Sequence, residues 1–181
     1  MPRVGVRSLL AVAVTAAAII VALVLTRAGP AAPPSVSVDP KAWSLPRLTG
    51  SGQLSLASFR GRPVVLDFFA SWCDTCETEL PAFATVAQQL RGRVAFAAVN
   101  SEETGNGLAM AQRTGIASWP LARDVGGREI SGLRDALEPT PGMPVTAFYD
   151  SQGRLLHVRL GALSGADLTA EIAQLFHLRA S

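Results

Sequence analysis

Cysteine is almost absent from this chain: of 181 residues, only Cys73 and Cys76 carry a thiol. With no third thiol, neither can staple a distant part of the fold, and the domain must stand on its hydrophobic core. Histidine is as scarce. His157 lies in a strand-like run and His177 near the end of a helical one, so the two cysteines lack a convergent second pair of zinc ligands. No metal and no cofactor are expected. Charged residues make up 17% of the chain and form no basic patch or basic–aromatic run, which argues against a nucleic-acid partner. No cysteine accompanies the apolar N-terminal segment, which excludes a thioether-linked lipid anchor. No internal repeat is present.

What the N-terminus does have is a long uncharged run. Ser8 to Leu25 is mostly apolar over 18 residues, enough as a helix to cross about 27 Å, against a hydrocarbon thickness of roughly 30 Å. Arg3 and Arg7 precede it, which suits a cytoplasmic N-terminus. A cleaved secretory signal is the competing reading. Its apolar core is usually shorter, and no clean A-x-A site precedes Pro30-Ala-Ala-Pro-Pro34. We therefore expect residues 1–26 to be a signal or transmembrane anchor, 27–40 a Pro/Ala-rich tether and 41–181 an exported domain. Without Arg3, Arg7 and Arg27, the part from Ser35 onward has 13 basic and 14 acidic residues and a formal charge of −1.

Within the domain, Trp43–Leu48, a Thr49–Gly52 turn and Gln53–Leu56 predict a hairpin. Val64–Ala70 is apolar on both faces, as a central parallel strand should be. Cys73 to about Leu90 has a helical stripe containing Leu80, Phe83, Ala84, Val86, Ala87 and Leu90, with Pro81 inside it as a kink. Val94–Asn100 reads as a second buried strand, followed by a helix to about Thr114 and an extended piece at Pro120–Arg123. A short helix at Ile130–Leu137 ends at Pro139-Thr-Pro-Gly142. Val145–Tyr149 and Leu155–Leu160 pair across an Asp150–Gly153 turn, and Ser164 with Asp167 caps a last helix to about Leu178. This order predicts an α/β three-layer sandwich with a mixed central sheet and an N-terminal β-hairpin extension.

Cys73 and Cys76 stand at the junction of an apolar strand and a helix. The helix N-terminus stabilises a thiolate on Cys73, and Cys76, one turn later, is placed to resolve a mixed disulfide. A structural disulfide across two residues closes too small a loop to stabilise much. A working dithiol is the reading left. Asp67 is the one ionisable residue in its strand, six positions before Cys73. Burial there would raise its pKa toward a usable base.

Val64-Val-Leu-Asp-Phe-Phe-Ala-Ser-Trp-Cys73, the following Asp-Thr-Cys76, Pro81 and Gly142-Met-Pro-Val-Thr-Ala-Phe-Tyr-Asp150 resemble the active-site segments of thioredoxin-fold proteins. The leading hairpin, the insertion after the second strand and the N-terminal anchor resemble the exported TlpA/ResA/DsbE-type branch, over roughly Val38 to Phe176. The resemblance implies that Cys73 is an exposed nucleophile, that Cys76 resolves, and that a cis Pro144 offers an edge for an extended substrate. It implies that Asp67, or alternatively Glu103 in Val99-Asn-Ser-Glu-Glu103, takes the proton when Cys76 attacks. Trp72 would lie over the nucleophile, and Met143 would add to an apolar substrate surface.

Asp74, Glu77 and Glu79 put three carboxylates on the first turns of the helix, and no cation separates the cysteines. This predicts a moderately reducing dithiol. The implied activity is reduction of disulfides in exported cysteine-containing proteins, with apocytochrome c during cytochrome c maturation as the leading case. An integral-membrane electron-transfer protein would recharge it. The alternatives are a disulfide-forming oxidase, a chaperone or haem-delivery module that binds clients without turnover, and a peroxiredoxin. The last would need a threonine where Ala70 stands.

Overall fold

The computed structural model describes residues 38–124 and 132–178. The anchor at 1–26, most of the tether and the start of the helix expected from Ile130 lie outside the described residues. Among those described, no helix is long and apolar enough to cross a membrane.

The first elements of the described residues are β1 (Ser44–Pro46) and β2 (Gln53–Ser55), antiparallel with Leu45 opposite Leu54. A 3-10 turn at Leu56–Phe59 follows, then β3 (Val64–Phe69) and α1 (Asp74–Gln89). Next come β4 (Ala95–Ser101), α2 (Gly107–Arg113) and β5 (Leu121–Asp124), then α3 (Leu133–Leu137), β6 (Val145–Tyr149), β7 (Leu155–Leu160) and α4 (Gly165–Leu175). The hairpin strands are shorter than the sequence predicts. Trp43 and Leu56 continue the ladder by a single bond, the Leu56 N–H donating to the Trp43 carbonyl at 3.1 Å, and both side chains pack into the core at 1% and 4% exposure.

The main sheet has the order β5-β4-β3-β6-β7. β4 runs parallel to β3 and to β5, whereas β6 is antiparallel to β3 and to β7. The sheet is therefore mixed, as the element order requires. β3 is buried along its whole length because it has a strand on either side and a layer on each face.

Alternation along β3 sorts its side chains. Val64, Leu66 and Phe68 join Trp43, Leu45, Leu54, Phe59 and Leu133 in the core under the hairpin and α3. Val65 and Phe69 point to the other face. There they meet α1 through Leu80 and Phe83, α2 through Met110, and α4 through Leu168 and Ile172. Asp67, between them in the alternation, shares that second face. Pro81 sits inside α1 without ending it. The hairpin also covers the β5 edge: Arg47 bridges to Ala122, and the Leu48 N–H donates to the Leu121 carbonyl at 3.0 Å. Covering an edge in this way blunts stray strand pairing.

α4 begins as its sequence predicts. The Ser164 hydroxyl accepts the Asp167 N–H at 3.1 Å, a cap worth about 1 kcal/mol. Ser164→Ala should therefore lower the urea midpoint by the equivalent of about 1 kcal/mol without changing the denaturant slope. An unchanged midpoint would show that the cap contributes nothing.

Candidate active site

Cys73 is the N-cap of α1, and its sulfur accepts the Cys76 N–H at 3.1 Å. The two cysteines form a disulfide with their Cα atoms 5.3 Å apart. The chain turns sharply to bring them there: the Cys73 N–H donates to the Ala70 carbonyl, and the Glu77 N–H to the Cys73 carbonyl. In the dithiol state, the donor now aimed at the Cys73 sulfur would face a thiolate, an arrangement that lowers a thiol pKa. Cys73 is less open than the resemblance implies. It is 5% exposed and Cys76 is fully buried, because Phe69, Leu80 and Met110 pack around them.

Asp67 is completely buried. β6 places Thr146 directly opposite it, and the Thr146 hydroxyl donates to Asp67 Oδ2 at 3.2 Å. Burial raises the Asp67 pKa well above the usual carboxylate range, the charge of Glu79 raises it further, and the Thr146 hydrogen bond opposes both only in part.

Glu79 is the residue that sequence reasoning misplaced. The sequence groups it with Asp74 and Glu77 as a charge on the first turns of α1, yet it is 4% exposed. Its Oε2 accepts the Leu163 N–H at 2.7 Å. Burial raises its pKa to about 7, with that N–H opposing. The signal was available: Cys76, Glu79 and Phe83 fall at helical spacing on the stripe that faces the sheet. Glu79 also lines a cleft of about 540 Å³ between α1 and the Ala162–Gly165 turn, which Asp74, Thr75 and Thr78 border as well. The site therefore holds two buried carboxyls behind the disulfide. Of the other two acids expected to surround the thiolate, Glu77 is drawn into an exposed ion pair with Arg113 at 2.9 Å.

Glu103 has a different set of partners. Its carboxylate accepts the Ser71 N–H at 2.8 Å, the Ser71 hydroxyl, the Asn100 amide at 2.6 Å and the Gly105 N–H at 2.7 Å. Burial alone would raise its pKa, but these donors outweigh it and hold the group below its ordinary value. An acid so occupied braces the loop after β4 against the turn before Cys73. The packing is close: a Cβ on Gly107 would come within 2.3 Å of the Asn100 amide, and one on Gly105 within 2.6 Å of Ser71 Oγ. Trp72 joins the same brace. Its indole N–H donates to the Glu102 carbonyl at 2.7 Å, and the ring remains 46% exposed beside the dithiol.

Met143–Pro144 is a cis peptide bond. Met143 is half-buried and packs against the cluster that contains both cysteines. Gly142, at φ +139°, adopts a backbone conformation that side chains disfavour.

A disulfide-forming pair at a helix N-terminus, beside a cis-proline loop on a mixed five-stranded sheet, defines the thioredoxin-fold class of thiol–disulfide proteins. The chain matches the AhpC/TSA family over residues 38–158 and belongs to it. It is 24% identical over 133 residues to the thioredoxin-like protein YneN of Bacillus subtilis, which spans 72% of this chain and 74% of that relative. To the thiol–disulfide oxidoreductase ResA of the same organism it is 23% identical over 117 residues, covering 64% of this chain and 63% of that one. A secreted Mycobacterium tuberculosis disulfide oxidoreductase, homologous to E. coli DsbE, superposes with a TM-score of 0.62 at 21% identity, over 75% of this chain and 98% of its own. With its Cys73–Cys76 pair on this fold the chain is a thiol–disulfide oxidoreductase, and it is similar to the TlpA/ResA/DsbE type.

The two buried acids set a pH dependence of stability. Their raised pKa values mean that the native state holds protons the unfolded chain releases near pH 4, so stability falls as pH rises from about 4.5 through 7. Asp124, raised by burial to about 6, adds to the same trend. Glu79→Gln should remove part of that decline, on the order of 2 kcal/mol between pH 5 and 8 for the oxidised protein. A denaturation midpoint with the same pH slope in variant and wild type would contradict this.

Proposed function

We propose that the chain is a membrane-tethered, extracytoplasmic reductant of protein disulfides, with residues 1–26 as its anchor, 27–40 as tether and 41–181 as the working domain. The observation that carries this reading is the Cys73–Cys76 disulfide at the start of α1, backed by Asp67 and Glu79. In the reduced protein, the Cys73 thiolate attacks one sulfur of a substrate disulfide. A substrate thiolate leaves and a mixed disulfide forms. Asp67, ionised for this step by passing its own proton outward, takes the Cys76 proton as Cys76 attacks the Cys73 sulfur, and the second substrate thiolate leaves. The substrate gains two electrons and the chain is left as the disulfide. Glu79 feels the charge of Asp67 and lines the cleft beside α1, which supports it as the next proton acceptor outward.

Met143, Pro144 and Trp72 border the dithiol with apolar surface and a backbone edge, which supports an extended cysteine-containing peptide as substrate. An exported protein with a closely spaced cysteine pair fits, apocytochrome c before haem attachment being the leading case. Each turnover consumes two electrons on the far side of the membrane, so an integral-membrane electron carrier must return them. The reducing direction rests on the first turn of α1. It carries Asp74 and Glu77 with no cation between the cysteines, so nothing beyond the helix terminus favours the thiolate form that makes a strong oxidant.

Cys76→Ser should leave Cys73 able to attack but unable to release. Expressed in cells as the full chain, it should accumulate a mixed disulfide with an exported, cysteine-paired protein, reversed by dithiothreitol and absent when Cys73→Ser is added. In steady state at pH 7, Asp67→Asn should slow turnover about 100-fold through the release step. Absence of any dithiothreitol-sensitive adduct would overturn the reading.

A further inference from the structure

Arg134 is an anomaly in this chain: a fully buried arginine on a helix of five residues, α3. One guanidinium nitrogen donates to Asp135 Oδ1 at 2.9 Å and to the Glu138 carbonyl at 3.0 Å. The other donates to the Thr140 carbonyl at 2.7 Å and to the Gly142 carbonyl. Three main-chain oxygens of the Glu138–Gly142 approach to Met143 and Pro144 are thus gathered on one planar fork. The geometry of that fork suits several fixed acceptors, which an ammonium cannot match.

The arginine is itself fixed from behind. Asp124, fully buried at the end of β5, accepts the Arg134 N–H at 3.2 Å and the Ser101 hydroxyl, from the end of β4, at 3.4 Å. A continuous set of contacts therefore runs from the ends of β4 and β5, through Asp124 and α3, to the loop that presents Met143 and Pro144. On the far side that loop is held by the Gly161 N–H, which donates to the Pro144 carbonyl at 3.0 Å.

We propose that Arg134 is a positioning residue for substrate: it turns the Glu138, Thr140 and Gly142 carbonyls inward and so sets the Met143–Pro144 edge on which a protein disulfide docks beside Cys73. This rests on the reading of the chain as a protein-disulfide reductant. Arg134 touches neither cysteine in any of its hydrogen bonds, so the chemistry of the dithiol does not depend on it. The effect belongs to docking of a polypeptide and not to thiol exchange. A small aromatic disulfide, which needs no backbone edge, reacts as before.

The test compares two substrates on the full chain in detergent, insulin as the protein disulfide and Ellman's reagent as the small one. Arg134→Ala should raise KM for insulin about tenfold or more, because a loosened edge costs binding as well as alignment. Its rate with Ellman's reagent should stay within about twofold of wild type. Arg134→Lys keeps the charge and most of the volume but not the fork. It should recover only part of the insulin KM, and it carries the same test if the alanine variant does not fold. An insulin KM unchanged in the lysine variant, or a parallel loss with both substrates, would overturn the proposal. Wild-type protein inert toward Ellman's reagent would instead overturn the reductant reading on which the proposal stands.

Discussion

Two carboxyl groups buried against the same face of a sheet cannot both be ionised cheaply. Desolvation disfavours each charge, and each charge disfavours the other. Asp67 has one hydrogen bond from Thr146 and Glu79 one from Leu163, and a second oxygen of each has no partner among the described residues. The inexpensive state is the protonated one. Near the disulfide at the start of α1, where thiol exchange moves protons, that burden has a use. The rest of the domain can be read as what is needed to keep those groups together: β3 carrying Asp67, α1 carrying the cysteines and Glu79, and β6 and the turn before α4 each supplying one donor.

The dithiol turn is fastened from two sides by different means. On one side, Glu103 collects hydrogen bonds from Ser71, Asn100 and Gly105, while the Trp72 indole is tied to Glu102. On the other, Arg134 gathers the carbonyls ahead of Met143. One is a half-buried anion fed by N–H and O–H donors, the other a buried cation fed by carbonyls. Both are charge-assisted networks, stronger than neutral hydrogen bonds and costly to leave half made. A site that must reproduce one geometry through oxidation and reduction gains from such fixed surroundings.

Much of this was legible from residues alone. Val64–Phe69 is apolar on both faces and could only be central, and the single charge within it marked Asp67. The cysteine pair and the last helix with its Ser164 cap follow from local chemistry, whereas the cis Pro144 follows only from the resemblance to thioredoxin-fold proteins; the structure has all three. Other features were not legible, for physical reasons. The hairpin strands are shorter than the residues suggest, because Leu56 still donates to the Trp43 carbonyl but already opens the 3-10 turn that ends the ladder. Glu79 has the same composition as its solvated neighbours and differs only in which way α1 turns it. Glu103 is the alternative proton acceptor that the resemblance implies; what the sequence does not record is the four donors that occupy its carboxylate and make it a brace. Arg134 had no sequence signal. Its partners are main-chain carbonyls in a proline-rich loop, and no side-chain pattern records those.

The central claim is that Cys73 and Cys76 open and close reversibly as a reductant. The most direct measurement is a redox equilibration of the full chain in graded thiol–disulfide buffers, with the dithiol fraction read by alkylation and by fluorescence of the exposed Trp72. The account predicts one two-electron transition at a potential well below about −120 mV, the value of a strong disulfide-forming oxidant. A transition near that value, or a disulfide that never exchanges with the buffer, would contradict it.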